Sequence, residues 1–332
     1  MLILRRTDVT EVLSGREAEI IDLVADTYRL HDAGQTSLPH STFLRFPEEN
    51  HSRDRIIGLP AYRGGERPAA GMKWIASFPG NVAAGTERAS AAIVLNSLDH
   101  GRPIAFVEGA VISAKRTAAS AALAAVKLTT ERPPTSVLLI GCGVINLEIL
   151  RFLAAALPEL REAALYDTDP ARPEAFTARC AEAVPRVKAH PVGDLTAALG
   201  EHRLVSLATT AASPHMDLGA CGPDTTVLHV SLRDLTAEAV LGAVNVVDDA
   251  DHVCREHTSL DLAQQAAGNR DFVAAEIGAL LRGTTLLPRV PERPVVYSPF
   301  GLGVLDIALA EFVRDEAARR GLGVHVEDFL PA

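Results

Sequence analysis

Aromatic side chains are scarce in this chain: one Trp, four Tyr and ten Phe make up 5% of residues, against 48% hydrophobic overall. A core with so few rings must be filled by Ala, Val, Leu and Ile, which suits a layered α/β enzyme rich in packed helices. Cysteine is sparse too, and Cys142, Cys180, Cys221 and Cys254 form no CxxC pair, so reduced thiols and no structural zinc are expected. The histidines lack HxH and HExxH spacing, which argues against a catalytic metal. Apolar stretches such as Val137 to Cys142 are far too short to span a bilayer. The opening MLILRRTDVTEVL breaks its apolar run with Arg5, Arg6 and Asp8, unlike a secretory leader, and the expectation is a cytoplasmic protein without a membrane partner. Positive charge is in deficit, with 32 Lys and Arg against 42 Asp and Glu and a formal net charge of -10. Such a surface repels phosphate backbones and makes nucleic acid an unfavoured partner.

What is present points to two kinds of layer. Thr10 to Leu30 has the spacing of one amphipathic helix, and Arg55 to Pro60, Ala69 to Phe78, Ala91 to Leu95 and Ile104 to Glu108 read as strands separated by turns. A mixed or antiparallel sheet is expected there. After an Ala-rich helix at Ser113 to Leu128, strands and helices alternate: a strand in SVLLIGCG, a helix at Val144 to Ala156, a strand at Ala163 to Tyr166 and a helix at Arg172 to Ala183. Further strands are read at Leu204 to Ala208, Thr226 to Ser231 and Asn245 to Val247, a pattern that spells a doubly wound parallel sheet. The late run SPFGLGVLDIALAEFVRDEAARRG is a turn and a helix whose Ile307, Leu309, Ala310 and Val313 pack against another layer.

The sharpest local signal is Leu138-Leu139-Ile140-Gly141-Cys142-Gly143-Val144-Ile145-Asn146. A GxG alone says little; one that ends a hydrophobic strand and opens a helix is a Rossmann-type dinucleotide turn. Gly141 permits the tight turn, and Gly143 lets backbone N–H groups near Val144 and Ile145 approach a pyrophosphate. Asn146 stands where a small residue is expected, so helix packing there must adjust. Cys142 reads as a packing residue rather than a nucleophile. Asp167 ends the next strand, where a carboxylate accepts ribose hydroxyls and repels the 2'-phosphate of NADP, which favours NAD; Asp167 or Asp169 as a helix cap is the competing reading. Thr209 and Thr210 follow another strand at its carboxyl end and are candidates for nicotinamide contact, or ordinary turn residues.

Several motifs together resemble the ornithine cyclodeaminase and mu-crystallin family over nearly the whole chain: Arg45, the LPAY run with Pro60, GMKW with Lys73, Asn81, Arg116-Thr117-Ala118-Ala119, the GxGxxN turn, Asp234 and SPFGLGVLD. The resemblance implies a substrate-binding and dimerisation domain split over residues 1–115 and 305–332, an NAD-binding domain at 116–304, and a homodimer. It also implies site roles. Arg45, Lys73 and Arg116 match positions that grip a substrate carboxylate, Lys73 being also near the reacting carbon, and Asp234 matches the acidic residue that handles the substrate amine or its proton. Guanidinium forks suit carboxylates physically. Each position has a plainer alternative: Arg45 as one of several surface arginines with Arg53 and Arg55, Lys73 on a solvent face, Arg116 on a helix surface, Asp234 as a cap. Glu108 and Glu276 are further polar candidates.

FLRFP, KWIASFPGN, RASAAIVLN and ISAKRTAASAALA, with Ser231-Leu232-Arg233-Asp234-Leu235 in place of the usual glycine-rich motif, look like the branch of the family that makes 2,3-diaminopropionate for siderophores or peptide antibiotics. The reaction so implied is NAD-dependent oxidative cleavage of N-(2-amino-2-carboxyethyl)-L-glutamate to L-2,3-diaminopropionate and 2-oxoglutarate through an imine, with Arg233 as an additional contact for a substrate with three carboxylates. Upstream, it implies a synthase that uses O-phospho-L-serine. Ornithine or lysine cyclodeamination, and a mu-crystallin-like protein that binds dinucleotide without turnover, are the alternatives.

Overall fold

The computed structural model describes residues 1–47, 54–288, 290 and 292–330, so Arg53 lies outside the described residues. The chain divides into two compact units, one made of Met1–Arg116 with Leu302–Ala332 and the other of Thr117–Gly301. The division falls inside the helix Ala110–Leu128.

In the first unit a mixed sheet runs in the order Val324–His325, Leu2–Leu4, Pro103–Glu108, Ala89–Asn96, Ala69–Ser77, Arg55–Arg63 and Thr36–Ser37, with Thr42–Arg45 also paired to Arg55–Arg63. Leu2–Leu4 and Pro103–Glu108 are parallel, whereas the central strands are antiparallel. The helix Gly303–Arg320 packs on the central strands of this sheet and against the two N-terminal helices. Its first turns are buried on every side, from Gly303 through Ala310.

Two glycines allow that close approach. A Cβ on Gly71 would meet Val94 O at 2.2 Å and the Ile307 side chain at 3.2 Å, and one on Gly303 would meet Leu59 Cβ at 3.0 Å. Gly71 lies two residues before Lys73, and Gly303 one turn before Asp306, so the contact that needs the glycines also brings these two charged residues together.

The expected single helix from Thr10 to Leu30 is instead two, Arg6–Leu13 and Glu17–Asp32. Ser14 ends the first in an extended conformation and Gly15 follows at φ +71°, a left-handed turn that breaks the α-helical path. The apolar spacing carries across the break because both helices bury a face in the same core, including Val9, Val12, Ile20 and Val24.

The second unit is built on eight parallel strands ordered Lys188–Pro191, Glu162–Tyr166, Ser136–Ile140, Leu204–Leu207, Thr226–His229, Val295–Ser298, Val244–Val247 and Val273–Glu276. Chain order reverses between Ser136–Ile140 and Leu204–Leu207, the switch point of a Rossmann-type sheet. Apart from Ser136 at an end, these central strands are buried throughout, as expected for a parallel sheet covered on both faces. After Val244–Val247, the buried Asp248 accepts the N–H groups of Phe300 and Gly301 at 2.8 Å each and so fixes the SPFGLG turn; burial pushes its carboxyl up to about 6. Among the described residues no helix is long and apolar enough to cross a membrane.

Candidate functional site

The dinucleotide turn sits at the switch point. Gly141 adopts φ +95°, and a Cβ there would lie 2.5 Å from Ala208 O of the neighbouring strand's end, so the position demands glycine twice over. Gly143 is the N-cap of the helix Val144–Ala156 with no side-chain cap, and a Cβ on it would meet nothing within 4 Å. The first-turn N–H groups of a helix have no intrahelical partner and carry its positive end. An uncapped N-terminus beside the open space above Gly143 therefore fits a phosphate group. Val144 is exposed and Ile145 half-buried at this mouth.

Asn146 is fully buried. Its amide donates to Ile140 O at 2.9 Å and Gly141 O at 2.7 Å, and its oxygen accepts from Ser206 Oγ at 2.8 Å. The residue that breaks the small-residue pattern thus ties strand, turn and helix together and links them to the next strand. Asp167 accepts the Cys142 N–H at 2.8 Å and the Asp169 N–H at 3.2 Å, and pairs with Arg172 at 3.5 Å. It holds the glycine turn; Asp169 instead meets the N–H of Ala171, the first residue of the next helix. The Cys142 thiol is pushed up to about 12, by burial first and the nearby Asp167 second, so it stays protonated and inert.

A second cluster lies at the ends of Leu204–Leu207 and Thr226–His229. Asp234 is fully buried and accepts hydrogen bonds from Thr209 Oγ1 and Ser231 Oγ, with His229 Nε2 at 3.5 Å. His229 Nδ1 lies 3.1 Å from Ser298 Oγ. Burial works against ionisation of Asp234, yet the bonds from His229, Ser231 and Thr209 together outweigh it and hold the carboxyl down at about 2. Leu232 adopts φ +67° with its side chain in the core, an uncommon conformation for a bulky residue in the loop that aims Asp234. Arg233 donates to Glu256 O at 2.8 Å, which ties it to a loop where Glu256 and His257 also have positive φ. Thr210, beside Thr209, is exposed.

In the first unit, Lys73 and Arg116 converge on one carboxylate. Lys73 Nζ lies 2.6 Å from Asp306 Oδ2, and Arg116 Nε 3.1 Å from Asp306 Oδ1; Ser113 Oγ is 3.4 Å from both cations. All three charged residues are buried. Two cations share one anion, so the cluster carries a surplus positive charge out of water, a state that favours a further anion. Burial foremost lowers Lys73 to about 8, with Asp306 opposing and Arg116 assisting. Asp306 escaped the reading of the sequence because it is the one charged residue in the apolar first turns of its helix; the signal was an acid flanked on both sides by core residues. Arg45 is exposed, its guanidinium 5.3 Å from the Phe43 ring, in a row with Arg55 and Ser77 that is four residues along the strand from Lys73. Glu108 accepts the N–H groups of Ala110 and Val111 and caps the helix Ala110–Leu128, and Glu276 accepts the N–H of Ala250.

Residues 2–321 match the ornithine cyclodeaminase/mu-crystallin family. The chain belongs to that family. It is 26% identical over 327 residues, 97% of each chain, to N-((2S)-2-amino-2-carboxyethyl)-L-glutamate dehydrogenase of Staphylococcus aureus. Its fold is that of Δ1-pyrroline-2-carboxylate reductase of Thermococcus litoralis, solved with NADH and L-proline (TM-score 0.90, 23% identity, 98% of this chain and 100% of that one). An archaeal alanine dehydrogenase dimer with bound NAD is also similar (TM-score 0.86, 22% identity, 99% of each chain).

Proposed function

We propose that the chain is an NAD-dependent dehydrogenase that cleaves N-(2-amino-2-carboxyethyl)-L-glutamate oxidatively to L-2,3-diaminopropionate and 2-oxoglutarate. The observation that carries this reading is the buried Lys73–Asp306–Arg116 cluster with its surplus positive charge, which calls for a carboxylate on the substrate. Similarity over 97% of the chain to the S. aureus enzyme named for this substrate supports it.

Within this reading Gly141, Gly143, Val144, Ile145 and Asn146 form or brace the dinucleotide turn, and Asp167 with Thr209 and Thr210 flanks it. NAD, when bound, supplies the acceptor for the hydride that leaves Cα of the glutamate portion. Lys73 and Arg116 hold a substrate carboxylate, with Arg45 and Arg233 as further cationic contacts. Asp234, ionised at every pH of interest, is an anion suited to an ammonium. Lys73, with a value of about 8, exchanges a proton near neutrality, as addition of water to the substrate imine and collapse of the carbinolamine require. The diaminopropionate serves siderophore or peptide antibiotic synthesis, and an O-phospho-L-serine-dependent synthase supplies the substrate.

Turnover with NAD is expected to yield NADH, 2-oxoglutarate and diaminopropionate in equal amounts, read by absorbance and mass detection. Proline or pipecolate with ammonia and no net NADH, from ornithine or lysine, would sink the substrate assignment. Tight NADH binding with no product from any of the three would favour a mu-crystallin-like role.

The same reading makes the chain a cytoplasmic homodimer. The sheet face opposite Lys73 leaves Met72 at 38% and Trp74 at 41% exposure, with Leu44 and Phe106 exposed as well. Such an apolar face suits a second copy, and a related alanine dehydrogenase is a dimer. Sedimentation is expected to give a dimer for the wild type and a monomer for Trp74→Glu; a wild-type monomer at micromolar concentration overturns this.

A further inference from the structure

The first unit contains another cation, outside the cluster around Asp306. Arg88 is half-buried just before the strand Ala89–Asn96, and its Nη1 donates to Ser77 Oγ at 2.9 Å. Among the described residues no carboxylate pairs with it, and the hydroxyl takes only one of the several N–H donors that a guanidinium offers. Burial alone lowers its pKa, with no anion to oppose the shift. A half-buried guanidinium bonded to one hydroxyl and paired with no carboxylate keeps donors for a further acceptor.

The sheet register gives this cation neighbours of its own sign. Arg45 lies opposite Arg55, Arg55 opposite Ser77, and Ser77 opposite Ala89, so one row across four strands ends beside Arg88. Directly opposed residues project to the same face, and so do residues two and four apart on a strand. Ser77, and with it Arg45 and Arg55, therefore shares the face of Lys73. Ser77 lies four positions along the strand from Lys73, roughly 13 Å between Cα atoms. Long arginine side chains can shorten that span to the separation of the end carboxylates of a small tricarboxylate.

We propose that Arg88, oriented by Ser77 and flanked by Arg45 and Arg55, is a recognition subsite for a distal carboxylate, which selects di- and tricarboxylate ligands over those that carry one carboxylate. The proposal rests on the proposed function in placing an acidic substrate in this unit, and it deepens that reading by naming the residue that distinguishes a glutamate moiety from alanine or ornithine. Lys73 and Arg116 serve the carboxylate common to all amino acids, and Arg88 serves the one that is not.

The test uses the full chain saturated with NADH and two probes, 2-oxoglutarate and pyruvate, titrated by calorimetry. The wild type binds 2-oxoglutarate about 10–100-fold more tightly than pyruvate, the difference expected of one additional charge-assisted carboxylate contact. Arg88→Gln abolishes that ratio while pyruvate and NADH affinities stay unchanged, and Arg88→Lys retains part of it. Equal weakening of both probes, or a ratio that survives in Arg88→Gln, overturns the subsite. If N-(2-amino-2-carboxyethyl)-L-glutamate is not turned over but the Arg88-dependent ratio is present, the reaction assignment fails and the subsite stands. If it is turned over and Arg88→Gln leaves its KM unchanged, the reverse holds.

Discussion

Asp306→Ala is expected to destabilise the first unit by about 3–5 kcal/mol near pH 7, because it strands two buried cations without their shared anion. Lys73 and Arg116 bond to opposite oxygens of this carboxylate, and Asp306 is 0% exposed. The pH dependence separates the two losses. In the wild type Lys73 titrates at about 8, below the ordinary lysine value of 10.5 that the unfolded chain retains. Between those values the unfolded state binds more protons, so stability rises with pH across that window. Loss of Asp306 removes the attraction that opposes burial and drives Lys73 lower still. Below the lowered value the lysine's share of the penalty is complete; above about 8 the lysine is neutral in both proteins and its share vanishes. The destabilisation should therefore be smaller at about pH 9 than at about pH 7, with the Arg116 share left over. The chain's one tryptophan, Trp74, lies in this unit's sheet and reports its unfolding in urea. A pH-independent penalty, or one under about 1 kcal/mol, would mean that the three charges do not act as one cluster.

That cluster marks the boundary of what the sequence could convey. Lys73 and Arg116 were legible by type and by resemblance, but the anion between them is 233 and 190 positions away along the chain, and no local pattern joins them. The helix that carries Asp306 was legible for the opposite reason: its apolar spacing is local. The glycine turn was also local, since strand, GxG and helix are contiguous. Three strands of the same sheet were not read at all, Lys188–Pro191, Val273–Glu276 and Val295–Ser298. Lys188–Pro191 and Val273–Glu276 lack the apolar run that marked the equally short Leu204–Leu207, and Val295–Ser298 acquires its strand identity by insertion between Thr226–His229 and Val244–Val247. Asn146 stood out only as a departure from a pattern; one of the three hydrogen bonds that make it fit comes from Ser206, on a strand 60 positions later. The two N-terminal helices merged in the reading because Gly15 leaves the hydrophobic phase intact while it turns the backbone.

Asp234→Asn is expected to lower kcat/KM by on the order of 10²–10³, the loss typical when one fixed electrostatic partner of the reacting group is removed. The structure makes Asp234 a poor proton shuttle: its carboxyl is held at about 2, so it remains an anion from mildly acid to alkaline pH. Because its folded value lies below the unfolded value of 3.8, the group contributes about 2 kcal/mol of stability that is present above pH ~4 and lost as pH falls through about 2. The asparagine variant forfeits that contribution at neutral pH but keeps the shape, and the Thr209 and Ser231 hydroxyls can rotate to meet an amide. The pH profile distinguishes the roles. If Lys73 moves the proton, the inflection of kcat/KM near 8 survives in Asp234→Asn at a lower plateau. If the inflection disappears with Asp234, the buried carboxylate is itself the titrating group, and the division of labour between a fixed anion and a titrating lysine is wrong.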